Sequence, residues 1–466
     1  MSIKVEVDGV LYGSAHEAAE YCAGKASVAP PHFTPVPCVE NAPDPGTHDA
    51  APVAAWTPTA GQSAALAAVD TLMARNACGL LTIVGYAGVG KTTMLRMIGA
   101  KYKNPIVVTP TGKAALRVQE ASGLPARTIH RWIYKSTTDP KTGKLRFEKR
   151  VADVEIPPCR LVLIDEASMV SADLWADIWR VAKMHDLRIV AVGDGFQLPP
   201  VQEKDKPAFS LLDPAFVESL GGTRVELTEV LRQAADSPVV RASMMLREGM
   251  GIKALGELPR VDREDLILVC AETRKVGGIV IAATNNVRFR VNAGMRENLG
   301  MADFWPHPME PFLVLRNNYD AGFYNGEQVS FTGWKTQPDV ATPVQDRYTG
   351  VKADVFFGEA IIDSQPCIIC VNQLHGGLDI GGYTLSIAAE LWARQHNCWH
   401  GEKLTPFLEV NFGYCYTAHK SQGSEWPYAV VLLEPNVKLD TEDGKRWAYT
   451  AVTRAKTAAA IFYGRI

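Results

Sequence analysis

Apolar residues in this chain gather in short, almost unbroken runs at 80–84, 105–110, 161–164 and 187–192, and again at 278–284, 414–419, 428–433 and 458–463. Runs of this length and continuity read as strands covered on both faces, the pattern of a parallel sheet rather than an alternating antiparallel one. The segments between them carry helical spacing. Residues 59–66 are amphipathic and lead into the first run, 93–98 follow it, and 111–115 open another helix after the second. Alternation of strand and helix predicts an α/β fold built on parallel sheets.

Three stretches break that alternation. Residues 2–7 alternate as a strand does, Asp8-Gly9 supplies a hairpin turn, and 10–12 can pair back. Ser14 and Glu17 then form a capping box for a helix running to about Cys22, and seven prolines from Pro30 to Pro52 predict a stiff linker. Residues 133–157 set the polar, basic run 137–144 between 132–134 and 145–147, as a hairpin with a long turn would. Residues 310–410 are turn-rich and β-prone, with a helical stretch near 385–395. The expected divisions are a hairpin-helix module at 1–28, a Pro-rich linker at 29–55, a first domain at 56–224 and a second at 225–466.

Composition narrows the function classes. At 466 residues the chain suits about three domains, and 47% hydrophobic residues allow several cores. The net charge of −3 excludes a protein coated in basic charge but leaves a local basic groove open. Nine cysteines without a regular framework, and no apolar run near eighteen residues, predict a cytoplasmic protein of a bacterial or phage-infected cell, with reduced thiols and no membrane partner. Cys367 and Cys370 form a C-x-x-C, and His396, Cys398 and His400 follow. Because those two cysteines flank an Ile-Ile pair in a β run, buried strand thiols are expected there rather than zinc.

The chemistry starts at 85–92. Gly85, Gly90, Lys91 and Thr92 satisfy G-x-x-x-x-G-K-[ST], and Ala87, Gly88, Val89 and Thr93 complete the loop and the first turn after it. Between a strand and a helix, such a loop aims backbone N–H groups at phosphate, with Lys91 reaching the β- and γ-phosphates and Thr92 holding Mg²⁺. About seventy residues on, 160–164 end in Asp165-Glu166, a pair suited to holding Mg²⁺ through water and to orienting and deprotonating an attacking water. A side-chain amide can pair with an adenine edge, yet Gln62, just before the first strand, reads on its own as a solvent-facing residue.

These motifs resemble the superfamily 1 DNA helicases, specifically the RecD/Dda-type branch. Gly193-Asp194-Gly195-Phe196-Gln197-Leu198-Pro199-Pro200 is similar to that branch's GDxxQLPP string, and it follows GYAGVGKT, TPTGKAA, TIH and IDEAS in family order. Downstream, 227–233 resemble LTxxxRQ, 416–426 resemble (T/A)xHKSQGSE(W/F), and 449–456 resemble Y(T/V)AxTRA. The resemblance covers 56–466 and implies two RecA-like domains with ATP in the cleft between them, a pin hairpin inserted in the first and an SH3-like β insertion in the second.

It also implies roles. Gln197 would sense the γ-phosphate and Gln62 the adenine, Arg232 and Arg454 would reach the γ-phosphate from across the cleft, and Gly423 with Glu425 would line the nucleotide side of the second domain. DNA would be gripped by Thr109, Thr111, Thr128 and His130 on one domain and His419, Lys420 and Ser421 on the other, with Trp132, Phe323 and Tyr324 as stacking rings. The implied activity is an ATP hydrolase that moves 5′ to 3′ on single-stranded DNA and unwinds forked duplex as a monomer, with a single-strand-binding or replication protein as a further partner. A translocase that strips proteins without processive unwinding is the competing reading. A binding module with a vestigial ATPase would need a broken catalytic set, and here the set is intact.

Overall fold

The computed structural model describes residues 5–7, 10–12, 57–138, 145–150, 153–200, 209–229, 237–301, 305–318, 321–336, 338–345, 352–372, 399–400, 403–404 and 407–465. The expected N-terminal strands do pair, Val5 opposite Tyr12 and Val7 opposite Val10. The capped helix, the Pro-rich linker, the hairpin tip at 139–144, His396, Cys398 and Arg232 lie outside the described residues.

The first lobe is a six-stranded parallel sheet in the order Thr223–Leu227, Gly79–Gly85, Arg188–Gly193, Leu161–Ile164, Ile106–Thr109, Ala126–Thr128. Its strands are covered on both sides, as the continuous apolar runs predict: Leu81, Ile83 and Val190 join one core, Leu80, Val84 and Ile189 another. The strand Thr223–Leu227 pairs with Gly79–Gly85 along its length, so the expected boundary at 224/225 cuts through an element of the first lobe. Only Leu227 of that strand is fully buried, which is why its pattern does not announce a sheet strand.

The second lobe is a five-stranded parallel sheet, Arg260–Val261, Ala455–Tyr463, Trp426–Leu433, Ile279–Ala282, Cys415–Thr417. Ile279 and Ile281 face the core that continues into the first lobe, whereas Val280 and Ala282 face the opposite side. The lobes therefore share apolar packing as well as a cleft.

Both expected insertions contain strands. Tyr134–Thr138 pairs antiparallel with Leu145–Lys149. The base of this hairpin is tied to the helix Ala172–Met184 by Asp177, which accepts from the Tyr134 hydroxyl at 2.6 Å and the Lys149 ammonium at 2.8 Å. In the second lobe, strands from Pro311–Val314 to Val410–Phe412 form an antiparallel sheet. Among the described residues its edge strands Asp339–Gln345 and Val410–Phe412 are not paired to each other, so a sheet rather than a closed barrel is what is seen. The insert is pinned to its lobe by buried polar groups: Asn292 bonds the backbone of Phe412 and Cys415, and the Arg296–Glu310 ion pair at 2.7 Å is capped by the Tyr414 hydroxyl.

Cys367 and Cys370 lie on the strand Gln365–Asn372 at an odd offset, which sends them to opposite faces. Burial pushes each thiol up to about 12, as buried strand thiols require. His400 lies in the short pairing of Trp399–His400 with Lys403–Leu404.

The helix Glu442–Val452 does most to position the site, because it carries Tyr449 and ends beside Arg454. A Cβ on its Gly444 would fall 1.8 Å from the Lys438 carbonyl oxygen. In an open helix Gly→Ala stabilises by about 1 kcal/mol. Here we expect the opposite sign: Gly444→Ala should lose about 2 kcal/mol or more in chemical denaturation, and a stabilised variant would contradict this packing.

Candidate active site

The carboxyl ends of the first sheet's strands converge, the position where open parallel sheets bind ligands. After Gly79–Gly85 comes the loop, with Gly88 at φ 84° and Gly90 at φ 85°, a left-handed conformation that glycine adopts without strain. Gly85 is also required by space, since a Cβ there would meet Val89 Cγ2 at 2.6 Å. Lys91 opens the helix Lys91–Lys101 and donates to the carbonyls of Gly85 and Tyr86 at 2.9 and 2.8 Å. Thr92 and Thr93 are half-buried on the same first turn, facing the anion-attracting end of the helix.

Asp165 and Glu166 follow Leu161–Ile164, and Asp194 and Gln197 follow Arg188–Gly193. Asp165 is buried and its Oδ2 has no protein partner; burial and the adjacent Glu166 push its carboxyl up to about 6, against the pull of Arg117. Glu166 sits at φ 52°, a conformation that costs a non-glycine residue about 1 kcal/mol or more and marks a functional constraint. Gln197 is buried with its Oε1 unpartnered as well.

The second lobe closes this site from the other side. Glu425 and Arg454 immediately precede the paired strands Trp426–Leu433 and Ala455–Tyr463, so they emerge at one edge of the sheet. Arg454 is 2% exposed and donates to the carbonyls of Thr450 and Ser424 at 2.9 and 3.0 Å. Burial lowers its pKa, while the charges of Glu166 and Glu425 act in the opposite direction. Partial burial raises the Glu425 carboxyl, but Arg117, Arg454, Lys456 and Lys91 outweigh it and leave the group below the ordinary range. Lys91 of the first lobe and Arg454 of the second thus act on the same carboxylate.

Hydrogen bonds hold the seam. Leu198 N–H donates to Thr450 Oγ1 at 2.9 Å, Gln422 Nε2 to the Leu198 carbonyl at 2.8 Å, and Arg446 to the Gly195 carbonyl at 2.8 Å. The Tyr449 hydroxyl donates to Asp194 and accepts from the Ala87 N–H at 3.3 Å, so a buried phenol of the second lobe touches the phosphate loop itself. Sequence reasoning assigns no role to Tyr449, although it lies inside a motif, nor to Arg117, which follows one closely. It misses Arg247 altogether; this residue stacks over Tyr86 at 4.8 Å and pairs with Asp194 at 3.4 Å.

Several expected residues serve the fold instead. The Gln62 amide is 1% exposed, capping Thr59 and donating to the Val89 carbonyl at 3.0 Å, so in this conformation it braces the loop rather than facing a base. Gly423, at φ 72°, would place a Cβ 3.1 Å from Ala114 and 3.2 Å from Thr111 Oγ1, so its part is to let the lobes approach rather than to line the nucleotide side. Trp132 is 1% exposed with its indole N–H on the Glu155 carbonyl, which removes it as a stacking ring. Thr109 and Ser421 are fully buried and bond the carbonyls of Thr111 and Ala418, while Thr128 caps the helix Ile129–Ile133. Phe323 is core, but Tyr324 lies against Gly112 of the first lobe, where a Cβ would be 2.1 Å from its ring. His130 is half-buried beside Tyr134, and burial lowers its pKa.

A second cleft of about 580 Å³ lies across the lobes, lined by Thr111, Lys113, Thr284, Asn325, His419 and Lys420 among others. Burial lowers Lys113 and Lys420 to about 8. Lys113 lies 4.4 Å from the Trp426 ring and Lys420 donates to Asn325 at 3.3 Å. Burial also lowers His419.

Comparison with known proteins agrees with this geometry. Residues 58–265 match the AAA domain family and 412–462 the UvrD-like helicase C-terminal domain. The ATP-dependent RecD2 DNA helicase of Deinococcus radiodurans is 26% identical over 388 residues, covering 81% of this chain and 46% of that protein. The RecBCD enzyme subunit RecD of Mycolicibacterium smegmatis is 26% identical over 417 residues, 82% of this chain and 68% of that one. Over about four fifths of its length the chain is thus similar to RecD-type helicases. A Bacteroides Pif1 helicase in complex with ADP-AlF3 and ssDNA is a more distant likeness, 18% identical with a TM-score of 0.48 over 87% of this chain and 92% of that chain. An uncharacterised Methanocaldococcus jannaschii protein is 22% identical over 451 residues, and this chain spans only 36% of its length, as it spans under half of the RecD2 protein. No helix among the described residues is long and apolar enough to cross a membrane.

The raised Asp165 carboxyl makes a test. A carboxyl whose folded pKa lies above its unfolded value lowers stability as pH rises from about 4 to 6, because the unfolded chain gives up the proton first. Asp165→Asn should therefore raise the melting free energy at pH 7.5 by on the order of 2 kcal/mol, with the gain fading toward pH 4. A variant less stable than the parent at pH 7.5 would contradict the account.

Proposed function

We propose that this chain is an ATP-driven DNA motor that translocates 5′ to 3′ on a single strand and unwinds forked duplex. The observation that carries the reading is the ring of charge around the phosphate loop, to which Arg454 and Glu425 come from one lobe and Lys91, Asp165 and Glu166 from the other. In this reading Gly88 and Gly90 shape the loop whose N–H groups hold the phosphates, and Lys91 exchanges its carbonyl partners for phosphate oxygens. Glu166 accepts a proton from the attacking water, Gln197 orients that water through its free Oε1, and Arg454 stabilises charge on the transferring phosphoryl group. Arg232, outside the described residues, is assigned by its motif as a second arginine for the transferring phosphoryl group.

Asp165 and Thr92 would hold Mg²⁺, and the buried, unpartnered Asp165 Oδ2 suits a cation. When bound, that ion neutralises phosphate charge. Asp165 is already biased toward this use, since a nearby positive charge draws its pKa back down.

The cleft at Thr111, Lys113, His419 and Lys420 is assigned to the strand. Two lysines held near 8 gain full charge when backbone phosphates approach, giving grip without base preference. Tyr324, at the rim with Gly112, is the remaining ring for stacking. The hairpin clamped by Asp177 is assigned as the wedge; it need only hold apart steps that cost roughly 1.4 kcal/mol each.

ATP turnover of the purified chain should rise at least about tenfold on adding single-stranded DNA, and a fork with only a 5′ tail should be unwound while one with only a 3′ tail is not. Stimulation without unwinding of either fork would leave a translocase that remodels bound proteins. Turnover indifferent to DNA would contradict the motor reading itself.

A further inference from the structure

Arg117 takes no part in the hydrolytic chemistry assigned to the cleft, yet it joins both halves of the site. It lies on the helix Gly112–Ser122, with Nη2 3.5 Å from Glu166 Oε1 and Nη1 3.1 Å from Glu425 Oε1. One guanidinium therefore links the water-activating carboxylate of the first lobe to a carboxylate of the second. Burial disfavours its charge, but Glu166, Glu425 and Asp165 more than offset that and raise its pKa. Lys113, one turn earlier on the same helix, lines the second cleft and lies over Trp426. Residues four apart share a helix face, so one rigid element of eleven residues runs from the cleft assigned to DNA to the carboxylate assigned to water.

We propose that Arg117 is a positioning residue that restrains Glu166 until a strand occupies the cleft. The proposal rests on the motor reading and names how its two sites communicate. A carboxylate paired with a guanidinium is aimed at that partner instead of at water. The Glu166 contact is the longer of the two, so a small shift of the helix toward strand phosphates at Thr111 and Lys113 breaks it first, and Arg117 stays on Glu425. Releasing Glu166 then coincides with tightening the lobes, which is the order a DNA-stimulated ATPase requires. The helix itself is well anchored for this motion: its N-cap Thr111 bonds Ala114, and Gly112 bears directly on Tyr324 of the insert.

The test measures ATP turnover of the full chain with and without oligo-dT, for the parent, Arg117→Ala, Arg117→Lys and Glu425→Gln, alongside oligo-dT affinity and a thermal melt. Arg117→Ala should raise DNA-free turnover at least about fivefold and shrink the stimulation ratio by the same factor, with oligo-dT affinity within about twofold of the parent. Arg117→Lys, which keeps the charge but not the two-pronged geometry, should fall between. Glu425→Gln, which leaves the guanidinium to Glu166 alone without touching its helix, should shift DNA-free turnover the opposite way, lowering it and raising the stimulation ratio, and it keeps the inference testable if Arg117→Ala proves too unstable to assay. A stimulated parent whose variants keep its ratio, or lose turnover equally with and without DNA, overturns the restraint alone. A parent that oligo-dT does not stimulate removes the motor reading and this inference with it.

Discussion

Charge buried between two lobes is the constraint on which the rest of this molecule depends. A charge taken out of water is costly unless partners surround it, and breaking a buried pair costs more than the pair contributes. Asp165 and Glu166 lie buried within one lobe, Arg454 within the other, and Arg117 and Glu425 stand between them. Apart, the two halves would lose the Arg117–Glu425 pair and the pull of Lys91 on Glu425; together they offset one another. Closure of the cleft and its electrostatic balance are then one variable, so any ligand that changes the charge changes the closure.

The fold supplies that balance with little machinery. Asp165 and Glu166 follow one strand of the first sheet directly, and Glu425 and Arg454 precede adjacent strands of the second, where Trp426 faces Ala455. Sheet geometry alone therefore aims both sets at the same gap. The helix Glu442–Val452 adds the finer registration: Tyr449 reaches Asp194 and the Ala87 N–H, and Thr450 takes the Leu198 N–H. The second cleft lies along the same seam, with Gly423 packed against Thr111 and Tyr324 against Gly112. Both clefts consequently feel any movement of the helix Gly112–Ser122.

Much of this is legible in the chain itself, for identifiable reasons. Parallel strands buried on both faces leave long apolar runs, and a phosphate loop tolerates few alternatives at its glycines, so 79–85 and 85–92 announce themselves. Thr223–Leu227 does not, because four of its five residues are not fully buried and its charged members break the run. Among site residues, a hydroxyl or a ring in a motif does not say which way it points. Thr128 caps a helix, Thr109 and Ser421 bond nearby carbonyls, and Trp132 fills the core. Arg117 is hidden for the opposite reason: its meaning lies in a carboxylate more than three hundred positions away, a pairing that no local spacing encodes.

The central claim is that Arg454 completes, from the second lobe, a phosphate site built on the first. Its most direct measurement compares ATP affinity and turnover of Arg454→Ala with the parent, in the presence of saturating single-stranded DNA. The account predicts ATP affinity within about tenfold of the parent and turnover lower by on the order of 10³. Turnover within a few-fold of the parent, with affinity unchanged, would contradict it.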